Sequence, residues 1–280
     1  MPELPEVETI VRELAGRLAG RVLSEPRIFK PDVLRGVSAR RLVTILDGNR
    51  IVEVTRRAKH AVLLLATGHR LVVQPGMTGS LIAYRRRLTP EQGRYVVLRV
   101  RIEGGGTLVY RDVRRIGTIR LLDARAWQAY TDRIGPEPLG ELDPVGFAAR
   151  LTGARQAIKK AIMDQRRIAG VGNIYANEAL YRARIDPSRA AARLTTGEAT
   201  RLYYAIRSIL SEAIAAQGTT FRDYRTGTGE PGAFQLELAV YGRGGEPCRR
   251  CGARLAETHA IDARTTVFCW RCQGLGADGR

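Results

Sequence analysis

At 280 residues and 44% hydrophobic, the chain has enough apolar side chain to bury one large core or two medium ones, which excludes a disordered polymer and favours two domains. Lys and Arg number 46 against 28 Asp and Glu, and the resulting charge of +18 with a pI near 10.6 points to an anionic polymer as partner. No apolar run approaches the roughly 18 residues of a membrane span, and the basic residues are spread along the chain instead of flanking an apolar segment, so nucleic acid fits that partner better than a membrane does.

The chain opens MPELPEVE, too acidic and too proline-rich for a secretory leader, which fits a cytoplasmic location. Pro5 and Glu6 suit a first helical turn, and Val7, Ile10, Val11, Leu14 and Leu18 follow at helical spacing, predicting a helix packed on a sheet. Pro2 and Glu3 stand just ahead of that helix with no structural task. From about residue 21 to 122 the segments RLVTIL, RIVEVT, HAVLLLAT, RLVVQP, RYVVLRVRI and GTLVYRD read as strands, separated by the turn signals DGN, ATGH and EGGG. They predict a β-sandwich or barrel-like sheet pair, an N-terminal domain of residues 1–134.

Pro136, Pro138 and Pro144, with Gly135 and Gly140, mark a linker over 135–150. Beyond it ARQAIKKAIMDQ, NIYANEALYRARI and TGEATRLYYAIRSILSEAIAAQ carry apolar residues three and four apart, so 151–240 reads as a helical domain. The loop 218–232 is rich in Gly and Thr and reads as mobile. The fold class is therefore α+β.

Within 241–280 stand all four cysteines, as CRRC (Cys248, Cys251) and CWRC (Cys269, Cys272) separated by seventeen residues. Each knuckle sets two thiolates on one side of an ion and the intervening hairpin returns the second pair, the spacing of a tetrahedral zinc site. Disulfides are the competing reading, disfavoured by the lack of a secretory signal and by the absence of cysteine from the first 247 residues. Four thiolates leave no open position for water, so one structural Zn²⁺ is expected. Arg243, Arg249, Arg250, Arg254, Arg264 and Arg271 around it suit a nucleic-acid finger.

Seven motifs in order give the chain a close resemblance to the bacterial formamidopyrimidine-DNA glycosylases: PELPEVET at 2–9, RRAK at 56–59, GMTGSL at 76–81, RRIG at 114–117, GPEPL at 135–139, GVGNIYANEAL at 170–180 and VYGRGGEPCRRCG at 240–252. The resemblance implies a β-sandwich followed by a helix–two-turns–helix domain and a zinc-finger hairpin. It also implies a monomer that excises oxidised purines such as 8-oxoguanine and formamidopyrimidines from duplex DNA, then cleaves the strand by β,δ-elimination. The sister group, the endonuclease VIII-like enzymes for oxidised pyrimidines, typically has glycine where this chain has Leu4. That activity, and a non-catalytic zinc-finger DNA-binding protein, are the alternatives.

By the same resemblance, Met1 is removed and Pro2 is the nucleophile. An α-amino group titrates near pH ~8, so a useful fraction is unprotonated at neutral pH. Glu3 matches the general acid, Glu6 a residue shaping the pocket, and Lys59 a group that protonates or orients the departing base and meets a backbone phosphate; Arg264 is placed with this catalytic set and also matches a phosphate contact. Met77 matches the side chain that fills the gap left by an extruded base, Arg114 the partner of the orphaned base, and Ile116 the wedge, where the family usually has phenylalanine. Asn173 and Tyr241 match phosphate contacts, and Arg155 matches a basic DNA-binding position that is often lysine. Gln74 stands where histidine is common, and GRY at 93–95 replaces a histidine-containing stretch. Taken without the resemblance, Glu3 and Glu6 read as helix-start decoration, Lys59 as a solvated charge, Met77 and Ile116 as core, and Asn173 as a helix cap.

Overall fold

A computed structural model of the chain describes residues 2–140, 142–219 and 225–274; the expectations for Met1, for the middle of the 218–232 loop and for the last residues of the finger lie outside these. The chain divides into two compact units. The first runs to Asp132 and takes in Ile214–Gln235 as well, and the second comprises Arg133–Ala213 and the chain from Leu236 onward. The 214–235 segment, read above as part of the helical domain, thus belongs to the compact unit built on the N-terminal half.

In the first unit, helix α1 (Leu4–Leu18) leads into eight strands: β1 (Leu23–Ile28), β2 (Ile51–Arg57), β3 (His60–Leu65), β4 (Arg70–Gln74), β5 (Gly79–Tyr84), β6 (Val96–Ile102), β7 (Thr107–Asp112) and β8 (Thr118–Leu122). They form two antiparallel four-stranded sheets, ordered β1-β6-β7-β5 and β2-β3-β4-β8. One core serves both: Val7, Ile10, Leu14 and Leu18 of α1 are fully buried with Leu63, Leu71, Leu81, Leu98, Tyr110 and Ile119. The helical apolar stripe meets there with strands rich in Val, Ile and Leu, several of them buried along most of their length, as β3, β4 and β5 are.

RLVTIL is a correction. It forms helix α2 (Ala39–Leu46), not a strand, because Ser38 caps it by accepting from the Arg41 N–H at 3.2 Å. Leu42 and Leu46, four apart, are the residues it buries. A short apolar run carries too little period to separate the two states, and the cap decides. Helix α3 (Ala124–Thr131), capped by Asp123, closes the unit's N-terminal portion.

The second unit carries helices α4 (Pro144–Leu151), α5 (Ile158–Met163), α6 (Asn173–Ala183) and α7 (Thr196–Ala215), the last reaching the boundary between the units. Asp143 caps α4 by accepting from the Gly146 N–H at 2.6 Å, so the proline-rich stretch 135–150 ends inside a helix that starts at Pro144. A hairpin of β9 (Ala256–Thr258) and β10 (Thr266–Phe268) and the short helix α8 (Trp270–Gln273) form the finger. Its small core, Val240, Leu255, Val267, Cys248 and Cys269, packs on Tyr181 of α6. Among the described residues, no helix is long and apolar enough to cross a membrane.

Candidate functional site

The N-terminal acidic residues have structural and chemical positions at once. Pro2 is buried, and Glu3 and Glu6 are 3% and 2% exposed. Glu3 is the N-cap of α1, its side chain accepting from the Glu6 N–H while Glu6 Oε2 accepts from the Glu3 N–H at 2.8 Å. Ser, Thr, Asp or Asn would be the usual choice for that cap, so a buried glutamate there answers to more than helix initiation. The other oxygen of Glu6, Oε1, accepts from the Thr219 N–H at 2.8 Å, and Glu13 Oε2 accepts from the Thr228 N–H at 2.7 Å. Both described ends of the 218–232 loop are therefore pinned to α1.

Glu8, which with Glu6 reads in the sequence as an acidic residue facing the positive end of the helix dipole, ties α1 to the lysine turn. Its Oε2 lies 2.7 Å from Arg56 Nε, and Arg56 Nη1 donates to the Ala58 carbonyl at 2.9 Å. Burial pushes the Glu8 carboxyl up, but the Arg56 and Arg12 hydrogen bonds and charges outweigh it and hold the group below the usual glutamate range. Ala58 takes a left-handed φ of 52°, turning β2 into β3 so that Lys59 points inward, only 4% exposed. A solvated charge is excluded.

His60 fixes the far side of the turn. The Arg57 carbonyl 3.0 Å from Nδ1 can only accept, so Nδ1 carries the proton and Nε2 accepts from the Tyr130 hydroxyl at 2.9 Å. Burial, with the Arg120 charge adding to it, holds the imidazole down to about 4 from 6.5, against the opposing pull of the Arg57 and Gln74 hydrogen bonds. Gln74 thus turns to His60 and lies 3.5 Å from Thr118 Oγ1. The consequence for stability has a definite sign. Below pH 6.5 the unfolded chain takes up a proton that the folded chain refuses until about pH 4, so stability is complete above 6.5 and falls as pH drops through that window. The loss is on the order of 3 kcal/mol by the bottom of the window. Urea midpoints at pH 7, 5.5 and 4.5 should fall more steeply for the parent than for His60→Gln; equal slopes would dispose of this assignment.

Met77, Arg114 and Ile116 come together on two interlocked loops. Met77 is 49% and Ile116 50% exposed, which rules out core packing. Arg114 Nη2 lies 2.8 Å from Met77 Sδ. Beneath them the buried Asp112 accepts from Thr78 Oγ1 at 2.5 Å and from the Gly117 N–H at 2.8 Å, and Thr78 Oγ1 accepts in turn from the Arg114 N–H at 3.0 Å. A Cβ on Gly117 would stand 2.7 Å from the Gly76 nitrogen, and one on Gly76 would stand 2.5 Å from the Gly117 nitrogen, so glycine is needed at both for the loops to approach.

In the second unit the phosphate candidates gather around α6. Asn173 is the first residue of α6 and not its cap, which is Gly172. Its Nδ2 donates to the Thr265 carbonyl at 3.0 Å, beside Arg264. Lys159 of α5, fully buried, reaches the same hairpin: Nζ lies 2.7 Å from Thr266 Oγ1, 3.3 Å from the Thr265 carbonyl and 3.2 Å from Asp262 Oδ1. Asn177 Oδ1 accepts from the Val267 N–H at 2.7 Å. Arg264 itself is exposed, on a turn held by these partners. Glu178 accepts from the N–H groups of Ala239, Val240 and Tyr241 at 2.9, 2.9 and 2.7 Å and so places Tyr241; burial pushes its carboxyl up against the pull of those donors. Arg155 is exposed ahead of α5. Lys159, Asn177, Glu178 and Asp112 escaped the sequence reading because a polar residue inside a helix or strand carries no sign of its partner.

The four cysteine Sγ atoms lie within 4.8 Å of one another. The Cys248–Cys272 and Cys251–Cys269 separations are 4.0 and 3.5 Å, against about 3.8 Å for thiolates about 2.3 Å from a tetrahedral ion. The cluster fits a metal ion. The Tyr181 hydroxyl, 3.2 Å from Cys248 Sγ, and the Arg250 N–H, 3.4 Å away, support the thiolate charge from outside.

Comparison with known proteins agrees with this arrangement. Residues 1–119 match the formamidopyrimidine-DNA glycosylase N-terminal domain and residues 134–225 the formamidopyrimidine-DNA glycosylase H2TH domain. The formamidopyrimidine-DNA glycosylases of Desulfitobacterium hafniense and Heliobacterium modesticaldum are 41% and 44% identical, each alignment covering 98% of this chain and 100% of the relative. The MutM (Fpg) protein of Thermus thermophilus superposes with a TM-score of 0.86 at 40% identity over 98% of this chain and all of its own. The Lactococcus lactis Fpg, solved in complex with an abasic site containing DNA, gives 0.89 at 32% identity over 97% of this chain and 99% of its own. With both domain matches, a four-cysteine cluster and full-length relatives in agreement, the chain belongs to the formamidopyrimidine-DNA glycosylase family.

Proposed function

We propose that this chain excises oxidised purines from duplex DNA and cleaves the strand at the resulting abasic site, with the Pro2 amine as nucleophile. The observation that carries the assignment is the burial of Glu3 and Lys59, 3% and 4% exposed, in the unit that also presents Met77, Arg114 and Ile116 to solvent. Ionisable side chains are seldom buried without a task. The amine attacks C1′ of the damaged nucleotide and expels the base, and Glu3 protonates the sugar ring oxygen as the ring opens. The resulting iminium withdraws electrons from the C1′–C2′ bond, acidifies C2′–H and so permits elimination of the 3′ and then the 5′ phosphate. Lys59 orients the departing base and Glu6 holds the Pro2–Glu3 segment against α1 and Thr219. One zinc ion in the cysteine cluster holds the finger from which Tyr241 and Arg264 reach the backbone, alongside Asn173 and Arg155. Borohydride trapping should capture a covalent complex on duplexes holding an oxidised purine and much less on those holding an oxidised pyrimidine. The reverse preference would favour the endonuclease VIII-like activity, and no adduct on either would leave only DNA binding.

Ile116 takes the place of an aromatic wedge. An isoleucine loses the stacking that a ring gains on a base, worth about 1–3 kcal/mol. Ile116→Phe should leave excision chemistry intact and tighten binding to a duplex with an abasic analogue, whereas Arg114→Ala should weaken extrusion, read by 2-aminopurine fluorescence beside the lesion. Weaker binding and less unstacking in Ile116→Phe would move the wedge to another residue of the 111–117 loop. The salt slope of binding should be unchanged in Ile116→Phe because no phosphate contact is altered.

A further inference from the structure

The edge of the first sheet farthest from Met77 carries a second concentration of charge. Strand β1 pairs with β6 in the register Ser24↔Arg101 and Arg27↔Arg99, with one extra residue on β1 between the two pairs. That bulge is built, since Glu25 takes a left-handed φ of 49° and its N–H is held out of the ladder by Asp47 Oδ1 at 2.9 Å. One added residue reverses the alternation of the strand. Pro26 therefore turns inward and is buried, and Arg27 turns outward, directly across from Arg99. Like charges in that position destabilise a sheet. The arginines are also ordered: Arg99 lies over the Phe29 ring at 5.3 Å, and Arg101 Nη1 pairs with Glu25 Oε1 at 2.9 Å. With Arg87 from the β5–β6 loop, they line a cavity of about 390 Å³ in which Glu25 is the one acidic residue among the described lining residues.

Protection of an exposed sheet edge explains charges on β1 alone. It does not explain Arg99 and Arg101 on the inner neighbour β6, or Arg87 from a loop closing over them. We propose that this cavity is a second phosphate-binding site, which holds the backbone of a stretch of DNA outside the segment that contains the lesion. Arginine forks match phosphate oxygens in pairs, and a strained bulge that sets two arginines face to face is relieved when an anion lies between them. The sheet order puts β1 and β5 at opposite edges, three strand spacings or about 14 Å apart, so this site is separate from the Met77 and Arg114 loops next to β5 and β7. It stands whether or not the assignment of Pro2 holds.

The test uses the full chain and undamaged duplexes of about 12 and about 40 base pairs, with affinity measured by anisotropy across a salt series. Arg27→Gln/Arg99→Gln is compared with the charge-matched Arg125→Gln/Arg201→Gln, which alters two exposed arginines elsewhere. On the long duplex the first variant should lower the salt slope by about 2, as expected for two lost phosphate contacts, and the second should not. On the short duplex the loss in the first variant should be smaller than on the long one, and lesion excision should be unchanged. Arg87→Gln, with no strand partner to disturb, should lower the long-duplex slope by about 1. Equal slopes in all variants, or an equal loss in the charge-matched pair, would overturn the proposal. A loss of tripolyphosphate binding with unchanged DNA slopes would overturn it too, since the cavity would then serve a small anion.

Discussion

A chain whose Pro2 amine is blocked, by a retained Met1 or by acetylation, is expected to lose borohydride-trapped adduct and strand cleavage by about 10³-fold or more, while still binding an abasic-analogue duplex at close to normal affinity. The separation follows from the geometry. The groups proposed to grip DNA are spread over Met77, Arg114, Asn173, Tyr241 and Arg264, and none of them supplies the electron pair for C1′. The amine supplies it, and acylation removes both the lone pair's availability and the ability to form an iminium. Pro2→Gly is a poorer test because glycine offers an amine of its own. Glu3→Gln gives the complementary result: with the amine intact and the proton donor lost, cleavage should fall while preformed abasic sites, already ring-opened in part, are affected less than glycosylic bonds. Undiminished cleavage by blocked protein would transfer the nucleophile to another residue, and Lys59, the buried lysine of the same unit, would be the first to examine by Lys59→Met.

The parts of this arrangement legible in sequence were those whose signal is local. The α1 stripe from Val7 to Leu18, the apolar runs of β3 and β7 between turn signals, and the paired CxxC knuckles each state their environment within a few residues, and the fold returned them as read. RLVTIL did not, because six residues fit either period and Ser38 lay outside the segment considered. The site residues are a different case. Pro2, Glu3 and Lys59 were marked by family motifs, but their burial could not be read, since Glu6, which holds Glu3, reaches Thr219 far along the chain, and the Lys59 turn is tied to α1 through the Glu8–Arg56–Ala58 contacts. Lys159 makes the same point. Within AIKKAI it is indistinguishable from Lys160, yet one is fully buried against the finger hairpin and the other exposed. Helical phase alone assigns the face, and only the tertiary partner gives the buried amine its meaning.

Removing the metal is expected to reduce duplex affinity by on the order of 10²-fold while leaving the first unit folded. The finger has little else to hold it. Its core is Val240, Leu255 and Val267 against Tyr181, and its regular elements are a hairpin of two three-residue strands and a four-residue helix. A core that small does not offset the entropy of ordering the chain, so the ion's binding energy is its folding energy. The contacts from Lys159, Asn173 and Asn177 then lose the hairpin they grip, and Arg264, presented by the turn between β9 and β10, is no longer held in place. Cys→Ser at Cys248, Cys251, Cys269 or Cys272 should act alike, with Cys248 the most severe because Tyr181 and the Arg250 N–H also point at its sulfur. Atomic absorption should find one zinc per parent chain. Far-UV circular dichroism should change little on chelation, because few residues of regular structure are lost, while duplex affinity falls and its salt slope shrinks by the phosphate contacts that Tyr241 and Arg264 had made. A zinc-free chain with the parent's affinity and slope would show that the finger contributes no contact to DNA, and the phosphate grip would then rest on Asn173 and Arg155.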